Sequence, residues 1–393
     1  MIVPTVKAFG DVIVAVFAGS RIAMEFTRFA EHKDTLTAEV TISNENGTLH
    51  WSRINLASAT GRREVIKALE EIHPIEGWRG MLDGACQGVA LHVRLAEPAV
   101  PLVAHAPRGD RWLVPLLIPL RATTVLYGDG GAGKSLLALA LAVSGLQGHA
   151  LGGPWTVGAL TKVLYLDWES DRSTHEERLH GLTCGRESLQ EGAILHRGLY
   201  RPLTDVIQEI RYQVEKDHVD LVICDSLGPA CGPEPESNDA AVRTLMALRS
   251  LQATRLVVAH VSKASAEQAR SRPFGGVYVQ NLARSTIEAR RQESAADQDS
   301  TVLSLYHRKS NNGRYARASG LAFTFGPDGA ISVQRADPGQ AGAPLADQII
   351  EAVSGGRISV GEIAESVDAS EATLRATLAE MEKRGNVLRF PAD

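Results

Sequence analysis

The chain has 393 residues, 44% of them apolar and 22% charged, a balance that excludes a disordered polypeptide and a length that exceeds what one hydrophobic core usually organises, so two or three domains are expected. Lys and Arg number 41 against 46 Asp and Glu, a formal charge of -5, so no global basic field draws the chain to nucleic acid and any such contact must be local. Cys86, Cys184, Cys224 and Cys231 are too scattered for a zinc pattern or a disulfide framework; with no basic-then-apolar leader and no apolar run long enough for a bilayer, a cytoplasmic protein without a membrane partner is expected.

Short β-rich runs at residues 12–17 and 36–42, with a turn at Asn46-Gly47, predict a small antiparallel unit at the start of the chain. Apolar residues at three- and four-residue spacing predict helices over 62–72 and 78–95, and the Pro-rich stretch 98–107 reads as a linker. Residues 1–100 are therefore expected to form a separate α+β module, in which nothing specifies chemistry.

From residue 111 to about 333 the rhythm changes to apolar β-rich runs separated by helical segments. That alternation predicts an α/β core over 108–336, with a mainly parallel sheet flanked by helices. Central strands are expected at 123–127, 162–167, 221–224 and 255–260, and later runs at 283–288, 302–307, 322–325 and 330–333 should extend the sheet with antiparallel pairs. A stretch rich in Gly, Ala and Pro at 337–344 reads as a second linker. Residues 343–393 then predict helices over 345–353, 360–367 and 371–384, the last capped by Ser370 and ended by Gly385, with a short strand at 386–390. Together these make a module like a winged helix-turn-helix.

One motif in the core carries specific chemistry. The run Thr123-Thr124-Val125-Leu126-Tyr127 leads directly into Gly128-Asp129-Gly130-Gly131-Ala132-Gly133-Lys134-Ser135, and Leu136 opens a small apolar helix. Strand, glycine-rich loop and helix in that order form a phosphate cradle: backbone N–H groups turn inward, the helix N-terminus adds partial positive charge, Lys134 reaches the outer phosphates of ATP, and Ser135 ligates Mg2+.

Three further strand ends converge on the same chemistry. The run 163–167 closes on Asp167-Trp168-Glu169, placing Glu169 at a carboxyl edge of the sheet, where it could polarise an attacking water; Asp167 and Asp171 are rivals for that role. Val222-Ile223-Cys224-Asp225-Ser226 is an apolar strand ending in Asp, and Asp225 would hold the water shell of the metal. Arg255 to His260 is a fourth buried run, and His260, followed by Ser262 and Lys263, is placed to sense the terminal phosphate.

With these motifs in hand, the chain resembles RecA-fold ATPases of the group that contains RepA-like hexameric replicative helicases, DnaB-type helicases, KaiC and RadA. The likeness spans residues 111–333, and the motif spacing looks most like the RepA-like members of plasmids and phages. It implies Glu169 as the catalytic glutamate and a ring-shaped homo-oligomer, a hexamer, in which a neighbour completes each site. His307-Arg308-Lys309-Ser310-Asn311-Asn312-Gly313-Arg314 is similar to the segment that reaches into the neighbouring subunit of DnaB-type proteins, with Lys309 at the first basic position. Asn311 stands where that pattern has Arg, so the finger is Lys309 alone, or Arg314 substitutes.

The resemblance also implies a single-stranded DNA partner, bound by loops after the third and fourth core strands. The loop at 228–238 holds Glu234 and Glu236 and no basic residue, whereas the loop at 263–277 holds Lys263, Arg270 and Arg272 and is the better candidate. Residues 341–393 carry nine acidic and five basic side chains, which favours a protein partner for the last module over duplex DNA. The expected function is an ATP-hydrolysing motor on nucleic acid, a helicase or helicase-like replication or recombination factor. The alternative is an ATP-dependent switch or assembly scaffold.

Overall fold

The computed structural model describes the chain apart from residues 1–3, 10–11, 18–19, 33–34, 96–100, 105–110, 149, 151, 154, 234–236, 263–272, 293–298, 312, 340–344, 358, 368, 384, 386 and 389–393. Two compact units divide it, Met1–Pro107 and Arg108–Asp393. Among the described residues, no helix is long and apolar enough to cross a membrane.

In the first unit β1 (Thr5–Phe9), β2 (Val12–Val16), β3 (Ala23–His32), β4 (Thr35–Asn44) and β5 (Gly47–Asn55) form an antiparallel meander in chain order, followed by α1 (Ala59–Ile72) and α2 (Trp78–Leu95). Leu36, Ala38, Val40 and Ile42 alternate inward along β4 and pack with Met24 and Phe26 of β3 against Leu69 of α1 and Trp78, Leu82 and Val89 of α2. β3 has no continuous apolar run because exposed Glu25 separates its buried residues, which is why it stood out less than β4. The tight turn falls on Glu45 and Asn46, one residue earlier than expected, and Gly47 opens the returning strand at φ +130°.

The second unit opens with a small antiparallel pair, β6 (Trp112–Val114) and β7 (Ile118–Pro119). Its nucleotide-motif half then runs β8 (Thr123–Gly128), α3 (Lys134–Gln147), β9 (Val163–Asp167), α4 (Arg172–Thr183), β10 (Ile194–Gly198), α5 (Leu203–Lys216), β11 (Leu221–Asp225), α6 (Leu227–Ala230), α7 (Asn238–Arg249) and β12 (Thr254–His260). After it come α8 (Gly276–Leu282), β13 (Ser285–Arg291), β14 (Ser300–Ser310), β15 (Ser319–Phe325) and β16 (Ile331–Ala336). The chain closes with α9 (Leu345–Ser354), α10 (Val360–Ala364) and α11 (Glu371–Lys383).

One nine-stranded sheet organises this unit, in the order β10-β9-β11-β12-β8-β13-β14-β15-β16. The first six strands pair in parallel and the last three are antiparallel additions. β13 thus joins the parallel part, beside β8, whereas the run at 283–288 had been expected only to extend the sheet. Edge strand β10 gave no apolar run because His196 and Arg197 interrupt it, and a sheet edge demands less burial than its centre.

The central strands β9, β11, β12 and β8 are buried on both faces, so their residues divide between two cores. Leu126, Tyr165, Ile223 and Val258 face α3, while Val125, Leu166, Cys224 and Val257 face α5 and α7. Helix α3 is covered from Leu136 to Gly145, which accounts for its lack of a polar face. Fully burying one such Leu stabilises the unit by about 1.5–3 kcal/mol.

The three last helices close around Ile349, Ile363, Leu374 and Met381. The Ser370 hydroxyl accepts from the Thr373 backbone at 3.3 Å, and Gly385 lies at φ +73°, the two terminal features expected of α11. α10 is shorter than predicted: it opens on a Ser359–Glu362 capping box and ends where the Ser366 hydroxyl donates to the Ile363 carbonyl at 2.9 Å. Most of the expected strand at 386–390 lies outside the described residues, and Val387 and Leu388 take no strand conformation.

Candidate nucleotide-binding site

Parallel pairing brings four motif-bearing strands to one edge of the sheet. His260 is level with Gly128 and Asp225 is level with Asp167, because β12 runs beside β8 and β11 beside β9. Around this edge lies a cavity of about 350 Å³, lined by residues 131–136 and by Glu169, Arg178, Asp225, Val258, His260, Thr301, Phe323 and Phe325. Gly131, Ala132, Gly133, Lys134, Ser135, Leu136, Glu169, Asp225 and His260 are therefore brought together. Gly128 and Gly130 sit at the foot of the same loop.

Glycine is required in this loop for two separate reasons. Gly133 caps α3 at φ +84°, a left-handed conformation that leaves the helix N–H groups open to an anion. Gly128 sits where a Cβ would come within 2.1 Å of the Ala289 carbonyl on β13, so a side chain there would force β8 and β13 apart. Lys134 is 5% exposed, and its ammonium donates to the carbonyls of Gly128 at 3.0 Å and Asp129 at 2.6 Å. Burial pulls its pKa down, while the charges of Asp225, Glu169 and Asp129 push it back up.

Asp225 is 2% exposed. One of its oxygens accepts from the Tyr165 hydroxyl at 2.5 Å, and the other, Oδ1, is buried with no hydrogen-bond partner. Burial raises its pKa, against the lowering effect of the Tyr165 and Ser135 hydroxyls; the nearby charges of Glu169 and Asp167 raise it further. An orphaned carboxylate oxygen beside a serine hydroxyl suits a hydrated Mg2+, a hard cation that keeps several waters and takes oxygen ligands.

Glu169 Oε1 is 3.2 Å from His260 Nε2 and accepts a short hydrogen bond from the Ser226 hydroxyl. His260 is the first cause of a lowered pKa at Glu169; burial opposes it, and Ser226 and the charge of Lys134 add to the lowering. The two rivals are otherwise engaged. Asp167 is buried away from the cavity, its Oδ1 accepting from the backbone of Glu169 at 3.0 Å and Ser170 at 2.9 Å. Asp171 caps α4, accepting from the Thr174 backbone at 2.8 Å.

Several partners in this site had no signature of their own in the sequence. Tyr165 lies two residues before Asp167 on one face of β9, and strand alternation was the signal that could have found it. Arg178, Thr301, Phe323 and Phe325 reach the cavity only because α4, β14 and β15 pack near the loop.

Other expected site residues lie elsewhere. Lys309 does not line the cavity: its ammonium donates to the carbonyls of Gln280 at 2.5 Å, Asn281 at 2.9 Å and Ala283 at 2.8 Å, capping the end of α8 within its own chain. Arg314 is exposed in the segment after β14. Lys263, Arg270 and Arg272, the candidate nucleic-acid residues, fall outside the described residues.

A family model described as an AAA domain matches residues 94–266, less than half of the chain but including the loop, Glu169, Asp225 and His260. No curated protein matches. Among solved structures, the chain is similar to a KaiC-like protein from the hyperthermophilic archaeon Pyrococcus horikoshii OT3, at 15% identity and a TM-score of 0.42 over 61% of this chain and 100% of that one. That likeness is too remote to carry a functional reading. The matched segment is thus similar to an AAA domain, and it carries the phosphate-loop motif on an α/β fold with a mainly parallel sheet.

Proposed function

We propose that this chain hydrolyses ATP and uses the cycle as a ring-forming, helicase-like motor on nucleic acid. The observation that carries the hydrolytic part is Glu169, an ionised carboxylate on the cavity wall across from Lys134, oriented by Ser226 and His260. Glu169 orients a water whose oxygen attacks the γ-phosphorus. The bond from that phosphorus to the β–γ bridging oxygen breaks, and the water proton passes to the carboxylate or to phosphate, leaving ADP and inorganic phosphate. Lys134 leaves its carbonyl partners for the β- and γ-phosphates, and Arg178 adds a second positive charge from the same chain. Ser135 and the free oxygen of Asp225 would hold Mg2+, which supplies charge neutralisation at the phosphate oxygens. Phe325, 41% exposed at the cavity rim, offers an aromatic face to the base.

Glu169→Gln tests this reading by phosphate release. Turnover should fall by about 100-fold or more while ATP affinity stays close to wild type, since the carboxylate acts on the water rather than on the nucleotide. Turnover at the wild-type rate in that variant overturns the assignment.

The motor part rests on the motif resemblance and on ring neighbours, with Lys309 or Arg314 as the reaching group and Lys263, Arg270 and Arg272 as contacts to single-stranded DNA. A second reading is an ATP-dependent switch or assembly scaffold with a protein partner on the last module. It is favoured by the commitment of Lys309 to α8 and by the acidic excess of residues 341–393. Adding single-stranded DNA to the ATPase assay separates the two: strong stimulation supports the motor, and an unchanged rate supports the switch.

A further inference from the structure

Beneath the loop that carries Glu169, three ligand-type side chains from three elements meet at one point. Asp167 ends β9, His196 lies on the neighbouring strand β10, and His175 sits in the first turns of α4. His196 is level with Tyr165 in the parallel pair, so it shares a sheet face with Tyr165 and Asp167, and α4 lays His175 over that face. One carboxylate oxygen, Asp167 Oδ2, is 2.9 Å from His175 Nε2 and 3.2 Å from His196 Nε2, and all three atoms lie within 4.8 Å of one another. The Tyr165 ring packs 4.4 Å from the His175 ring and holds it in place.

Among the described residues, no fixed positive charge is bonded to the carboxylate of this cluster. The Asp167 carboxylate is 0% exposed, and its side-chain partners among the described residues are the two imidazoles, with no lysine or arginine bonded to it. Asp225 lies level with it on the next strand and adds a second buried carboxylate. A buried carboxylate is costly unless a positive charge accompanies it. The backbone donors of Glu169 and Ser170 supply hydrogen bonds but no net charge.

We propose that Asp167, His175 and His196 bind a divalent transition-metal ion of the zinc class. Two imidazole nitrogens and one carboxylate oxygen are a ligand set suited to zinc, cobalt or nickel, whereas Mg2+ and Ca2+ prefer oxygen alone. Around a tetrahedral ion with bonds near 2.0 Å, neighbouring ligand atoms stand about 3.3 Å apart. The nitrogen-to-oxygen separations in the cluster are within a few tenths of an ångström of that edge. Water completes the coordination. The ion neutralises Asp167 and pins the carboxylate whose other oxygen holds the Glu169 and Ser170 backbone, so it fastens the loop from below without touching nucleotide. The site is separate from the Mg2+ position at Ser135 and Asp225, and it stands whether or not the chain hydrolyses ATP.

Cobalt titration of the chelator-treated full-length chain, with excess Mg2+ and ADP filling the phosphate site, is the test. The expected result is one equivalent of Co2+ with visible ligand-field bands, displaced by Zn2+, and a raised unfolding temperature on Zn2+ addition. His196→Gln keeps an N–H donor for Asp167, so it preserves the hydrogen-bonded cluster but removes an imidazole ligand. It should bind the ion about 100-fold more weakly, and a similar loss is expected in His175→Gln. Folded wild-type protein that binds no Co2+ beyond weak surface association overturns the proposal and leaves a carboxylate clamped by imidazoles alone. Wild-type Co2+ affinity in a folded His196→Gln chain overturns it equally.

Discussion

At the residue scale, the site is built on a tension between burial and charge. Glu169 is held below the ordinary carboxylate range first by His260 and then by Ser226 and Lys134, against burial. Its folded-state pKa is therefore depressed. Any stability linked to it is present above the unfolded value of about 4.3 and is lost as pH falls through the lower folded value. Catalysis by the ionised carboxylate should likewise survive to acid pH. His260→Ala removes the main lowering influence and leaves burial in place, so the acid limb of the single-turnover rate should move towards neutral pH. An acid limb at the wild-type position in that variant would break the link between these two side chains. Asp225 is tuned the opposite way, its carboxyl raised by burial despite the Tyr165 hydroxyl. Tyr165→Phe removes that hydroxyl and raises the carboxyl further, so a higher Mg2+ concentration for half-maximal rate is expected in a metal titration.

At the element scale, the short helix α8 ends on carbonyls that α-helical bonding cannot satisfy, and Lys309 of β14 donates to three of them. Lys309→Ala should then cost about 1 kcal/mol of stability, as loss of a cation at a helix C-terminus does, read as a lower unfolding temperature. If Lys309 instead reaches a neighbour's phosphates, the same variant loses ATP turnover with its unfolding temperature unchanged. The two outcomes separate a helix cap from a trans-acting finger. The same logic of orphaned groups explains α11, where Ser370 and Gly385 sat at the expected ends because capping chemistry is local. It also explains the shortened α10, whose end is set by the Ser366 hydroxyl turning back onto the Ile363 carbonyl.

At the scale of the whole molecule, sedimentation with and without an ATP analogue measures the proposed ring directly: a nucleotide-dependent hexamer is expected, and a monomer under both conditions removes the shared-site mechanism. Much of the second unit was legible in the residues themselves. Gly128 through Ser135 declared a phosphate cradle because left-handed turns and close backbone approach demand glycine, and central strands buried on both faces must be continuously apolar. The strand ends at Glu169, Asp225 and His260 were readable for the same reason, since a polar residue closing an apolar run has nowhere to go but the sheet edge. The sequence by itself thus determined the α/β class, the loop and the motif-bearing edge, all consequences of backbone sterics and local periodicity. Only the tertiary structure decided the pairing of β13 beside β8, the arrival of Arg178 and Phe325 at the cavity, the capture of Lys309 by α8, and the meeting of Asp167, His175 and His196. Those depend on which strands lie side by side and how helices settle on them, contacts between residues far apart in the chain that no local spacing encodes.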